Sequence, residues 1–239
     1  KPPEEFDARQ QATVEQVPII QQKTMTIGLS WNKKYKNGKG NMVTSISTNR
    51  LQNIFSRYQD NTSKSGTIFR NDSHEQETKL RYHTLHYLDK WKLVAGANLQ
   101  QSDYGNKTQS ILYDLSYNTN IQFLKYGFFI KGQRQFFNQN LGVALGFRFD
   151  ADTFSNGSSL ADNFSPRLSL TYNLTEDQSW KINTSIGRYY KIPTYTMLGF
   201  QKPIDDFVNQ NAKYTQCDHA VFGVEYSPGN AARITLEGF

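Results

Sequence analysis

Apolar residues recur at every second position along most of this chain, and that period limits the fold more than any other feature. Leu141, Val143, Leu145, Phe147 and Phe149 alternate with Gly142, Ala144, Gly146, Arg148 and Asp150. Successive side chains of a strand point to opposite faces, so one face here is apolar and the other is small or charged. The pattern returns at Met25, Ile27, Leu29 and Trp31; at Trp91, Leu93, Ala95, Ala97 and Leu99; and at Leu124, Tyr126, Phe128 and Ile130. It continues at Leu168, Leu170, Tyr172 and Leu174, at Trp180, Ile182 and Ile186, and at Ala220, Phe222, Val224 and Tyr226. Helical periodicity is hard to find.

A soluble sandwich and a transmembrane barrel both produce this alternation. In the first the apolar face meets another sheet; in the second it meets lipid while the polar face lines a wet lumen. Three features favour the barrel. The segments match the roughly 9 to 11 residues that a tilted strand needs to cross a bilayer. Aromatic residues gather at strand ends, as in Trp31 with Tyr35, Tyr87 with Trp91, Tyr172 with Trp180, and Tyr189 with Tyr190, where interfacial girdles lie. Short connections at 89–90, 137–140, 175–179 and 228–230 alternate with long ones at 60–73, 153–164 and 191–213, as periplasmic turns alternate with external loops.

The fold class read from this is all-β, an antiparallel transmembrane β-barrel. Ten spanning strands are expected at about 23–33, 41–59, 75–88, 91–101, 123–135, 141–152, 165–174, 179–190, 214–227 and 231–239. Residues 109–119 alternate as well, through Ile111, Tyr113, Leu115 and Tyr117. Counting them as a spanning strand would put later long loops on the short-turn side, so they are assigned to an external loop from about Ser102 to Gln122. With short turns periplasmic, the first strand descends and the last ascends, leaving Phe239 near the external rim. A barrel with both termini in the periplasm ends on a descending strand, so residues 1–239 are expected to be part of a larger barrel domain.

Charge and cysteine content remove other classes. The 27 Lys and Arg against 21 Asp and Glu give a net charge of +6, and the basic residues are scattered, so no stripe suggests a nucleic-acid partner. The single Cys217 cannot form a disulfide within the chain. No stretch approaches the roughly 20 apolar residues of a spanning helix, and Lys1-Pro2-Pro3-Glu4-Glu5 lacks the basic-then-apolar build of a secretion signal, which for an exported protein is expected to have been removed or to lie outside this segment.

Particular segments resemble a known family. They are Tyr126 to Gln133, Leu141 to Asp150, Asn163-Phe-Ser-Pro-Arg-Leu-Ser-Leu-Thr-Tyr172 and Ser185-Ile-Gly-Arg-Tyr-Tyr-Lys-Ile-Pro193. With Asp218 to Gly229 and Arg233 to Phe239 they are similar, in order, to the C-terminal barrel half of TonB-dependent outer-membrane receptors. Residues 1–120 match only in strand pattern. The resemblance implies a 22-stranded barrel in the bacterial cell outer membrane, plugged by an N-terminal domain. It also implies active import of a scarce siderophore, cobalamin or oligosaccharide, energised by the TonB complex. Plug, TonB box and flanking strands are expected to be absent from this chain, whose partners would be membrane lipid and the imported ligand.

No phosphate loop, His-Glu-x-x-His or nucleophile elbow is present, and no enzyme, cofactor, catalytic residue or metal site is expected. His83 and His86 are three apart and face opposite sides of a strand, so they cannot share an ion. His74 and His219 are single. Asp205-Asp206 with Asp218-His219 could serve as a general base in the rival reading, a ten-stranded barrel hydrolase; a passive porin and a soluble all-β protein are further rivals. Ligand contact is expected in the external segment 188–200, at Arg188, Tyr190, Tyr195 and Phe200. Aromatic and cationic groups there suit stacking on a ligand or pairing with an anionic chelate.

Overall fold

The computed structural model describes every residue except 1–4, 6, 37, 157, 203–206, 230 and 231. Ten strands form one antiparallel sheet in sequence order. They are β1 (Ile19–Lys34), β2 (Gly40–Asp60), β3 (Ser65–Leu88), β4 (Trp91–Ser110), β5 (Leu115–Phe136), β6 (Leu141–Asp152), β7 (Ser165–Asn173), β8 (Trp180–Lys191), β9 (Thr215–Tyr226) and β10 (Ile234–Gly238). Two helices accompany them, α1 (Ala8–Gln16) and α2 (Tyr195–Leu198). Asp7 and Gln10 close a capping box at the start of α1, a helix that the period-two reading did not anticipate.

Register explains why one face repels water. Residues directly opposite in a ladder share a face, and the row Leu29, Ile46, Leu80, Leu99, Tyr126 crosses five strands in register. All five side chains are exposed, Leu29 by 73% and Leu99 by 45%. The row Leu141, Tyr172, Ile182, Val224, Leu236 continues the same face at the other side of the sheet. So much contiguous apolar surface exceeds what a soluble domain leaves open to water, and it marks the lipid-facing side.

The apolar band also moves across the sheet. On β1 it begins at Ile27 and on β9 at Ala220, yet the ladder row of Ala220 leads back through Ile186, Leu168, Leu145, Gly132, Leu93 and His86 to Gly40. Gly40 lies beside Tyr35, some eight residues below Ile27. A drift of about eight to ten residues over eight strand steps, at about 3.3 Å per residue and 4.8 Å per step, means a strand tilt of about 35 to 40°. That is the tilt of a transmembrane barrel wall.

The turns separate two ends. Asp89 takes a positive φ of 52° in the two-residue turn before β4, and Thr175 to Ser179 close the β7–β8 turn through the Asp177 carboxylate, which accepts from Ser179. At the other end the sheet does not stop where the sequence suggested. The expected loop at 60–73 is a four-residue turn between strands that pair up to Asp60 and Ser65. The expected loop from Ser102 to Gln122 is likewise ladder, with Ser110 opposite Leu115 and a turn at 111–114. The ten-strand count holds, and the outward positions beyond Leu124 are Gln122, Asn120 and Asn118. The correction is that residues 109–119 are the tip of a hairpin projecting past the apolar band. Its strands persist because their inner face is covered: Tyr104, Ile121 and Phe123 are all buried there.

Candidate functional site

Opposite the lipid face lie the small and charged residues that alternate with the apolar ones. Near the middle of the sheet the inward row is Lys131, Gly146, Arg167, Gly187 and His219, and Arg148 lies next to Gly146 on the same face. Gly146 leaves room for a depression of about 400 Å³, lined by Lys131, Arg148, Arg167, Phe129, Tyr189 and Ser185 among others, whereas the space over Gly187 is taken by Arg167 and Tyr189. Phe129 lies close against the wall because Gly96 has no Cβ: one placed there would come within 2.5 Å of the ring.

The three cations differ in what already holds them. Arg148 makes a two-point pair with Asp150, Nε to Oδ2 and Nη2 to Oδ1 both at 2.6 Å, and donates to Asn98 as well. The Arg167 guanidinium stacks 4.2 Å from the centre of the Tyr189 ring, and its buried Nε has no hydrogen-bond partner. Tyr189 in turn meets His219 edge-on at 5.1 Å. Neither Lys131 nor Arg167 is in an ion pair among the described residues. Two unneutralised cations beside an aromatic pair and a floor without side chains can receive an anionic planar group.

Nearer the external end, a second inward assembly covers the wall. The β8–β9 connection turns back so that Leu198 becomes fully buried against Tyr104, Ile121 and Phe123, with Tyr195 beside it. The Tyr195 hydroxyl donates to Glu77 Oε1 at 2.5 Å, lies 3.0 Å from Ser102 Oγ and accepts from Lys125 Nζ. Burial first, and then the Glu77 carboxylate, push the phenol well above its ordinary pKa, so it stays a donor at neutral pH. The Gly199 carbonyl accepts from Tyr117 and Thr119, at 2.6 and 2.7 Å. The β6–β7 loop joins through Phe154, edge-on to Phe207 at 5.1 Å, and through the Asn156 N–H donated to Gln210 O.

Tyr195→Phe isolates the polar part of this clasp. Removing the hydroxyl takes one partner each from Glu77, Ser102 and Lys125, which stay linked to one another through Gln100 and the Lys125–Glu77 pair, and a lost buried hydrogen bond costs roughly 1–3 kcal/mol. Amide exchange across 194–200 is expected to quicken at least fivefold relative to wild type, with the strand amides of β4 unchanged.

The residues expected from the sequence do not form one site. Arg188 and Tyr190 continue the outward parity of Ile186: Arg188 pairs with Asp218 at 2.7 and 2.9 Å, and Tyr190 donates to Gln216 Oε1 at 3.1 Å. Tyr195 is in the clasp, and Phe200 stacks on Tyr117 at 6.0 Å. His83 and His86 do face opposite sides, His83 near Phe129 and His86 stacked on Tyr35. Asp218 and His219 also face opposite sides, one towards Arg188 and the other towards Tyr189, so they do not act together on one water. Asp205 and Asp206 lie outside the described residues. The inward cations Lys131, Arg148 and Arg167 were the ones missed, and the signal for them was the small face of the same alternation that located the strands.

A tilted antiparallel wall, apolar outside and cationic inside, is the wall of an outer-membrane barrel. The chain belongs to the family of TonB dependent receptor-like β-barrels, whose pattern it matches over residues 7–236, and this places it in the bacterial outer membrane. In fold it is similar to the ferric enterobactin receptor PfeA of Pseudomonas aeruginosa in a mutant form, with 14% identity and a TM-score of 0.68, covering 91% of this chain and 34% of that one. The siderophore receptor PirA of the same organism gives 12% identity and a TM-score of 0.66, covering 92% and 39%. The copper transporter OprC gives 16% identity and a TM-score of 0.65, covering 86% and 36%. The chain therefore spans little more than a third of the length of these proteins. No curated protein sequence matches it significantly.

Proposed function

We propose that the complete protein imports a scarce anionic ligand across the outer membrane with energy from the TonB complex, and that this chain supplies one side of the barrel lumen. A plug domain and flanking strands in other parts of the protein would complete the barrel, the plug carrying the contact with TonB. The observation that carries this reading is the pair Lys131 and Arg167, unneutralised beside Tyr189 on the inner face of a family barrel. Such a group favours a metal chelate bearing carboxylate or catecholate oxygens, as siderophores do, over a neutral oligosaccharide. Cobalamin, with its bulky largely neutral ring, fits the depression less well.

Two measurements test it in cells carrying the complete receptor. Uptake of a labelled ferric chelate is expected to cease when the proton-motive force is collapsed; uptake that persists would mean passive diffusion, as in a porin. Lys131→Gln with Arg167→Gln is expected to weaken binding of an anionic chelate tenfold or more while leaving a neutral one within twofold. Equal losses for both, or none, would remove the inner-wall cations from ligand recognition.

A further inference from the structure

Above the apolar band the outer face of β1 to β4 changes from lipid-like to polar and cationic. The first outward row beyond Ile27 is Met25, Arg50, Gln76 and Asp103, and the next is Lys23, Gln52, His74 and Gly105. Strand β4 then continues to Ser110, nine residues past Gln101, or about 30 Å along the tilted strand. The outer face of β1 to β4 consequently passes through the headgroup layer of the outer leaflet.

The acids of this patch are already occupied. Asp72 accepts from Gln52 at 3.1 Å and lies 3.9 Å from Arg70. Asp103 accepts from Asn120 and Gln122, both at 3.2 Å, and lies 3.5 Å from His74 Nε2. Lys23 and Arg50 are diagonal neighbours, because Arg50 faces Met25 and Lys23 stands two residues further along β1. Neither is in an ion pair among the described residues, and Arg50 donates to the neutral Gln76 Oε1, at 3.2 Å. Both are exposed.

We infer that Lys23 and Arg50, flanked by the amides of Gln52 and Gln76, form a docking site for the phosphorylated sugar headgroup of an outer-leaflet glycolipid. The depth is right, with apolar Ile27 and Leu29 directly below for the acyl chains. The charge is right, since two cations with no acid between them attract a phosphate that a lipid tail holds at this height. The amides supply donors and acceptors for sugar hydroxyls. The inference rests on the placement of the wall in the outer membrane, and it does not depend on which ligand the lumen carries.

The test uses the complete receptor in detergent micelles, titrated with bisphosphorylated lipid A and followed by native mass spectrometry. Wild type is expected to retain the phosphorylated lipid and to retain its dephosphorylated form at least fivefold less. Lys23→Gln with Arg50→Gln is expected to lower retention of the phosphorylated form fivefold or more, while Lys90→Gln, on a periplasmic turn, leaves it unchanged. Folding of each variant is read from its heat-modifiable migration. Should the double variant not fold, Lys23→Gln alone is expected to lower retention two- to threefold. Unchanged retention in the variants overturns the site, as does equal retention of the dephosphorylated lipid. Equally effective displacement by phosphatidylglycerol would reduce the patch to general attraction for anionic lipid and overturn the assignment to a glycolipid.

Discussion

Leu198→Ala is expected to release the β8–β9 loop from the inner wall of the barrel. The side chain is fully buried at the centre of a small cluster with Tyr104, Ile121, Phe123 and Tyr195, and three of these, Tyr104, Ile121 and Phe123, lie on strands β4 and β5, which cannot follow it inward. Truncating a buried leucine costs roughly 2–5 kcal/mol, more where the surroundings cannot collapse. Strand side chains locked in a ladder collapse poorly. At about 1.4 kcal/mol per tenfold change, the opening equilibrium of the loop should rise by a factor of about thirty or more. Limited proteolysis between 192 and 214 in the complete receptor measures this, with the barrel fragments remaining intact. A cleavage rate equal to wild type would show that the loop is held by its polar contacts alone.

Phe128→Arg should be the most damaging single change on the outer wall. Phe128 points away from the lumen, lies in the row of Trp31, Tyr82 and Ala97, and stacks on Phe149 at 4.8 Å. An arginine facing lipid near the bilayer midplane costs roughly 2–4 kcal/mol, and loss of the aromatic pair adds to that. Denaturant titration of the receptor refolded into lipid vesicles gives the value directly. Gln133→Arg, on the opposite face of the same strand, should stay within about 0.5 kcal/mol as a lumen-facing surface change. Equal costs at the two positions would mean that the faces have been assigned wrongly.

How far the fold could be read in advance depended on which contacts were local. Strands β6, β7 and β8 lie almost where the alternation of Leu141 to Phe149, Leu168 to Leu174 and Trp180 to Ile186 places them, because each strand carries its own signature for lipid. The hairpin ends at 60–73 and 102–122 carry none. Outside the membrane their outward positions are polar or charged, among them Arg70, Asp72, Asp103, Lys107, Asn118 and Asn120, which also suit a loop. Their inward residues Tyr104, Ile121 and Phe123 form a core only when Leu198, some eighty residues later, folds onto them. Helix α1 was missed for a similar reason: its cap is local, at Asp7 and Gln10, but Asn61 holds its last turn through the Val14 and Val17 carbonyls.

The candidate site divides the same way. That Arg188 and Tyr190 point outward was already implied by the outward position of Ile186, since even-numbered residues of β8 share one face. Lys131, Arg148 and Arg167 were visible as members of the small face, but nothing in a one-dimensional pattern brings residues from β5, β6 and β7 around one glycine. Register does that, and register depends on pairing between strands.

By itself, therefore, the sequence determined that this protein is a wall with one lipid face and one wet face, because a period of two in hydropathy is a property of each strand and requires no partner. Only the tertiary structure decided how tall the wall stands, which loop folds inward to cover it, and which cations meet at Gly146. Those outcomes follow from side chains far apart in the chain sharing buried surface, and no local alternation records which of them will meet.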